Sequence, residues 1–87
     1  MSNILERANK IVNERSEEKE RKYGPFEESM ERCAKIATLM GNKEITTIDV
    51  YNILIALKLS REAYSHQEDN LLDACAYIGS MNNYKEK

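Results

Sequence analysis

The chain has one histidine, two cysteines and one proline in 87 residues, and no apolar run long enough to cross a bilayer. His66 has no second imidazole and no cysteine near it at zinc spacing, which argues against a structural zinc site. With one histidine, neither a Ser-His-Asp nor a Cys-His arrangement is supported, so no catalytic residue is assigned. A basic cluster is also missing. Glu17, Glu18 and Glu20 border and interrupt the Lys19/Arg21/Lys22 run, and the formal charge is −2, which argues against a nucleic-acid footprint. No membrane partner is expected, and no signal peptide is read before the first charged residues, so a cytoplasmic protein is expected. Cys33 and Cys75, each among apolar neighbours, are expected as small buried thiols in a reducing compartment rather than as a disulfide. Neither strand alternation nor an internal repeat is visible.

What is present is helical periodicity. The length suits one domain, residues 1–87, that buries roughly 60–65% of its unfolded surface, a thin core that self-association would supplement. The spacing predicts a first helix over residues 3–22, with Ser2 as N-cap and Ile4, Leu5, Ala8, Ile11 and Val12 as apolar positions. Residues 16–24 carry charge without an apolar stripe and read as a solvated or fraying end and turn. Gly24-Pro25 breaks the chain and starts a second helix, with Pro at its first position. Phe26, Met30, Cys33, Ala37 and Met40 recur at 4, 3, 4 and 3 as one core face, and Gly41-Asn42 closes the helix with a left-handed cap.

Thr46 begins a third helix with Asp49 three residues on, and Ile45 with Val50 forms a hydrophobic staple. This helix runs to Tyr64. Ser65 with Glu68 reads as a capping box for a fourth helix to about Asn83, with Asp69 as a rival start. The expectation is an all-α, four-helix domain with short loops and antiparallel helical hairpins. The third helix is apolar over most of its circumference, so at least a homodimer is expected through helices three and four.

Two cations sit where they should not. On a helical wheel Asp49, Asn52 and Ser60 fall opposite Lys58, while Tyr51, Leu54 and Ile55 lie beside it and Arg61 is about 60° away. Burying a charge is costly without a partner. The fourth helix offers one, because two of the three aspartates, Asp69 and Asp73, lie four apart on a stripe with Tyr77, Ser80 and Tyr84. Leu71, Cys75 and Ile78 make the opposite stripe. An ion-pair cluster that fixes the register of the hairpin is one reading. The other is a pocket in which Lys58 and Arg61 meet phosphates, Tyr51 or Tyr77 stacks on a base, and Asp69 and Asp73 complete the lining. Helix two carries a second signal, Glu27-Glu28-Ser29-Met30-Glu31, in which carboxylates at i, i+1 and i+4 can converge on Mg²⁺. Glu31 falls opposite Phe26, Cys33 and Met40, so a solvated face is the plainer expectation.

In order, K-Y-G-x-x-E-x-x-x-E-R (Lys22-Tyr23-Gly24, Glu27, Glu31-Arg32), I-T-x-x-D-V (Ile45 to Val50), L-K-L-x-R (Leu57 to Arg61) and D-N-L-x-D-x-x-x-Y (Asp69 to Tyr77) follow one another. Together they resemble a family of small phage and prophage proteins of unknown function. The resemblance implies a phage context, and with it the bacterial host cytoplasm. A more distant resemblance is to the MazG-type all-α nucleoside triphosphate pyrophosphohydrolases, which pair E-E-x-x-E on one helix with E-x-x-D on a later one around Mg²⁺. Glu27, Glu28 and Glu31 match the first motif. In the second, Asp73 matches but Asn70 replaces the glutamate, and an extra helix separates the two motifs.

Three functions follow as expectations. The first is a phage-type accessory protein that binds a nucleotide or cyclic nucleotide, sequestering a host immune signalling nucleotide. The second is a Mg²⁺-dependent pyrophosphohydrolase using Glu27, Glu28, Glu31 and Asp73. The third is a helical interaction module with no small ligand.

Overall fold

The structure, a computed structural model, describes residues 3–14 and 25–86. Within them stand α1 (Ile4–Asn13), α2 (Phe26–Gly41), α3 (Thr47–Tyr64) and α4 (Glu68–Lys85), with no strand among the described residues. The all-α expectation holds. Ser2, the continuation of the first helix through residues 15–22, and Gly24 lie outside the described residues.

The cap of α1 falls one residue later than expected. Asn3 keeps extended dihedrals, and its Oδ1 accepts from the Glu6 N–H at 2.8 Å, satisfying a donor that the first turn leaves open. α1 closes after Asn13, where Glu14 leaves helical dihedrals and its N–H returns to the Lys10 carbonyl. Past Val12 there is no further apolar stripe for a longer helix to bury. Ile4, Ala8 and Val12, spaced by four, pack against Leu72, Cys75 and Ala76 of α4. Leu5 and Ile11 stay exposed.

Pro25 caps α2 from outside rather than opening it, and Asn42, not Gly41, takes the left-handed conformation (φ 52°) that ends it. Asparagine tolerates that region better than most residues. The connection from Asn42 to Thr46 is tied back by Thr38, whose hydroxyl accepts from the Ile45 N–H at 2.8 Å and lies 2.9 Å from the Ala34 carbonyl. Thr46 and Asp49 form the expected capping box: Thr46 Oγ1 accepts from Asp49 N–H, and Asp49 Oδ2 accepts from Thr46 N–H. Ile45 packs on the cluster that contains buried Val50, as a staple requires.

One expected face of α2 is corrected. Met30 and Ala34 are buried, whereas Cys33 is exposed and Met40 is 83% exposed. The helix is turned so that Phe26, Met30 and Ala34 meet Val50 and Tyr51, and its last turn runs past the core it was expected to cover. The start of α4 is corrected too. Ser65 ends α3, its N–H donating to the Arg61 carbonyl, and Glu68 pairs with Arg7 of α1 instead of closing a capping box.

α4 is the central element. One side carries Leu72, Cys75, Ala76 and Gly79 toward α1; a Cβ on Gly79 would sit 3.8 Å from Val12 Cγ2. The other carries Asp73, Tyr77, Ser80 and Tyr84 toward α3 and α2. The α2/α3 and α3/α4 hairpins are antiparallel. The contacts Arg7 to Glu68 and Val12 to Gly79 advance together, so α1 runs parallel to α4. The core therefore falls into two clusters, one on each side of α4, and among the described residues four of the eight buried apolar ones are alanines. No helix is long and apolar enough among the described residues to cross a membrane.

Candidate functional site

The face that α3 and α4 share is built in layers. Antiparallel packing sets Tyr51 against Ser80 and Lys58 against Asp73, so each step of three or four residues along α3 is matched by an opposite step along α4. At the lower layer the Tyr51 ring is fully buried, and its hydroxyl is 2.7 Å from Ser80 Oγ, which is itself 3% exposed. The pair satisfies two hydroxyls that would each be costly to bury alone.

Above it, Lys58 Nζ lies 2.9 Å from Asp73 Oδ2, with the lysine side chain 18% exposed and the aspartate 36%. The lysine's apolar neighbours cover its methylene stem while the ammonium meets a carboxylate at the margin of the interface, as long amphipathic side chains do. The top layer is held by Glu62. Its carboxylate accepts from the Gln67 N–H at 3.1 Å and from the Asn70 amide at 3.4 Å, and it pairs with His66. Gln67, the N-cap of α4, makes no side-chain cap of its own. A side chain of the preceding helix thus organises the start of the next. The hydrogen bond with His66, joined by those from Gln67 and Asn70, holds the Glu62 carboxyl below its ordinary value against the opposing effect of burial.

The six residues expected to form an anion pocket are therefore divided. Lys58 and Asp73 meet. Arg61 and Asp69 are both exposed near that pair, and no ion pair to either occurs among the described residues. Tyr77 is half-buried, with its ring stacked on Phe26 at a centroid distance of 5.9 Å and an interplanar angle of 26°. Tyr51 lies inside the core and presents no ring face to solvent.

The E-E-x-x-E stretch departs from the expected solvated face. Only Glu28 is exposed, while Glu27 and Glu31 are half-buried. Glu31 Oε2 accepts from the Tyr84 hydroxyl at 3.2 Å, and one oxygen of Glu27 is shielded from solvent. A tyrosine donor on α4 draws the Glu31 side of α2 inward. Among the described residues no three His, Cys, Asp or Glu side chains gather as a group able to hold a metal ion, so Glu27, Glu28, Glu31 and Asp73 are not assembled around one point.

Sequence reasoning passed over Glu62, Asn70 and the Tyr51–Ser80 pair. The spacing of His66 four residues after Glu62 was the one local signal, although α3 ends at Tyr64 and His66 lies just beyond it. Asn70 reaches Glu62 only because the chain reverses between them.

A family model described as a domain of unknown function (DUF6378) matches residues 3–85. No curated protein and no solved structure matches the chain.

Proposed function

We propose, given that the chain belongs to the DUF6378 family, that it is an accessory protein that binds a nucleotide-like anion through Lys58 and Arg61. The observation that carries this reading is a lysine ammonium drawn into the α3/α4 interface by one carboxylate, with an exposed guanidinium one turn along the same helix. Phosphate oxygens compete with Asp73 for Lys58, and Arg61 adds a planar fork suited to two phosphate oxygens at once. Asp73 keeps the ammonium paired while the site is empty. Tyr77, whose ring already stacks on Phe26, is the aromatic neighbour of this layer, and Asp69 offers a carboxylate to a ribose-type hydroxyl. The ordered motifs, which resemble those of small phage and prophage proteins, support a role in the host cytoplasm, as a sponge for an immune signalling nucleotide. In this reading the protein works as a homo-oligomer.

Calorimetry against nucleotides and cyclic dinucleotides, with and without Mg²⁺, tests the reading. Arg61→Met and Lys58→Met should each weaken binding at least tenfold, about 1.4 kcal/mol. Arg61→Lys should weaken it as well, because a point charge does not replace a bidentate fork. Unchanged binding in these variants would place the site elsewhere, and a flat panel would favour a helical interaction module with no small ligand.

A second reading, the MazG-like pyrophosphohydrolase, is favoured by one observation: Glu27 and Glu31 turn partly inward instead of lying on a solvated face. Against it stand Asn70 at the position of an expected carboxylate and the dispersed donor set. Steady pyrophosphate release from a deoxynucleotide panel, lost in Glu31→Gln, would promote this reading over the first.

A further inference from the structure

Large apolar side chains are distributed unusually in this chain. Among the described residues ten are exposed, whereas Met30, Val50, Tyr51 and Leu72 are the large ones that are buried. Small domains with so little interior gain stability by covering such surface with another chain. On α3 three of the exposed ones align: Ile53 is 59% exposed, Leu57 42% and Tyr64 94%. With exposed Ser60 they recur at spacings of 4, 3 and 4, the seam of a helix that packs lengthwise on another helix.

We propose that a second copy of this chain packs on that seam, α3 against α3 and antiparallel, about a two-fold axis between Leu57 and Ser60. The spacing suits a second copy as the occupant. A 4-3-4 pattern reads the same from both ends, so the two-fold axis sets Leu57 of each copy beside Ser60 of the other, and Ile53 beside Tyr64. Leu57 then meets the small Ser60 at two symmetry-related places, so the seam is complementary to itself as an isologous interface requires. Arg61, on the flank of the seam, falls opposite Ala56 of the other copy, so like charges do not meet.

The area also sets the strength. The Tyr64 ring offers about 150–250 Å². Together with Ile53, Leu57, Ala56 and Ser60 the seam reaches on the order of half the roughly 800 Å² that a standard interface takes from each partner. A face of that size is small for a permanent assembly, so the dimer is a reversible one in exchange with monomer.

Sedimentation equilibrium of the full chain, from about 5 to 300 µM, reads this directly. The expected result is a weight-average mass that climbs from near 10.1 kDa toward twice that value. Leu57→Glu and Tyr64→Glu should each raise the dissociation constant at least tenfold with unchanged far-UV circular dichroism. Leu39→Glu, at an 83% exposed position of α2, should leave it unchanged. Tyr64 is nearly free of the fold, so its variant keeps the test sound even if Leu57→Glu unfolds. A mass that stays at the monomer value across the range overturns the proposal. So does a dimer that survives both seam substitutions, or one that only Leu39→Glu dissolves, because the covered face would then lie elsewhere.

Discussion

Lys58 of α3 and Asp73 of α4 hold the one ion pair between these two helices among the described residues, with 2.9 Å between Nζ and Oδ2. It sits two turns above the Tyr51–Ser80 hydrogen bond, and the two contacts share one antiparallel register. A pair at the margin of an interface is neither fully screened nor fully desolvated. A double-mutant cycle with Lys58→Met and Asp73→Asn, followed by urea unfolding, should give a coupling energy of about 1 kcal/mol, the upper end for exposed pairs. Each single variant should be less stable than additivity with the double variant implies. A coupling near zero would mean that the pair contributes nothing to register.

Tyr51→Phe removes one hydroxyl and leaves Ser80 Oγ buried without its partner. The expected cost is about 1–2 kcal/mol in chemical denaturation. Adding Ser80→Ala should recover part of it, since the hydroxyl left without its Tyr51 partner is then gone.

Gly79 lies inside α4, and the Cβ of an alanine there would meet Val12 Cγ2 at an ordinary 3.8 Å. Helix propensity then dominates, and Gly79→Ala should stabilise by about 0.5–1 kcal/mol. A lower thermal midpoint for this variant would show that α1 and α4 are packed too closely to accept one methyl.

The Glu62 carboxyl titrates below its ordinary value in the folded chain, chiefly through its hydrogen bond with His66. For a carboxylate with a depressed folded pKa, the stabilisation is complete above the unfolded value and is lost as pH falls through the folded one. The contribution should therefore be whole above about pH 4.5 and fade in more acid solution. Glu62→Gln keeps an acceptor for the Gln67 N–H but has no charge to lose, so its thermal midpoint should fall less steeply with acid than the wild type's. Parallel acid limbs would assign the acid sensitivity to other carboxylates.

The parts of the fold that were legible in sequence are those whose partners are close along the chain. Thr46 with Asp49 needs three residues to declare itself, and the start of α3 at Thr47 follows from it. The Asp73–Tyr77–Ser80–Tyr84 stripe was visible because a straight helix fixes which residues share a face. The facing of α2 was not. Cys33 and Met40 have the right period for a core, but period alone does not say which of two adjacent stripes meets a neighbour. That is decided by Phe26, Tyr51 and Tyr77, whose rings meet only in the folded chain. For the same reason Ser65 and Glu68 looked like a cap, although it is Glu62 of the previous helix that accepts from the Gln67 N–H and the Asn70 side-chain amide where α4 begins. Of the expected anion site, the pairing of Lys58 with a helix-four aspartate was foreseeable from charge and wheel position. The burial of Tyr51 was hidden, because it depends on Ser80 lying across the interface.

α4 has protein on two sides, and the two clusters it separates depend on it unequally. α1 is attached to α4 through Ile4, Ala8 and Val12 and through an ion pair at Arg7, on one side of it. Its release would bare Leu72 and Ala76 yet leave Met30, Val50 and Tyr51 enclosed. Release of α4 would open both. The native state should thus have a graded set of openings, in which α1, packed on one helix, detaches before α4, which is packed on two sides, and the paired faces of α3 and α4 exchange with solvent deuterium last.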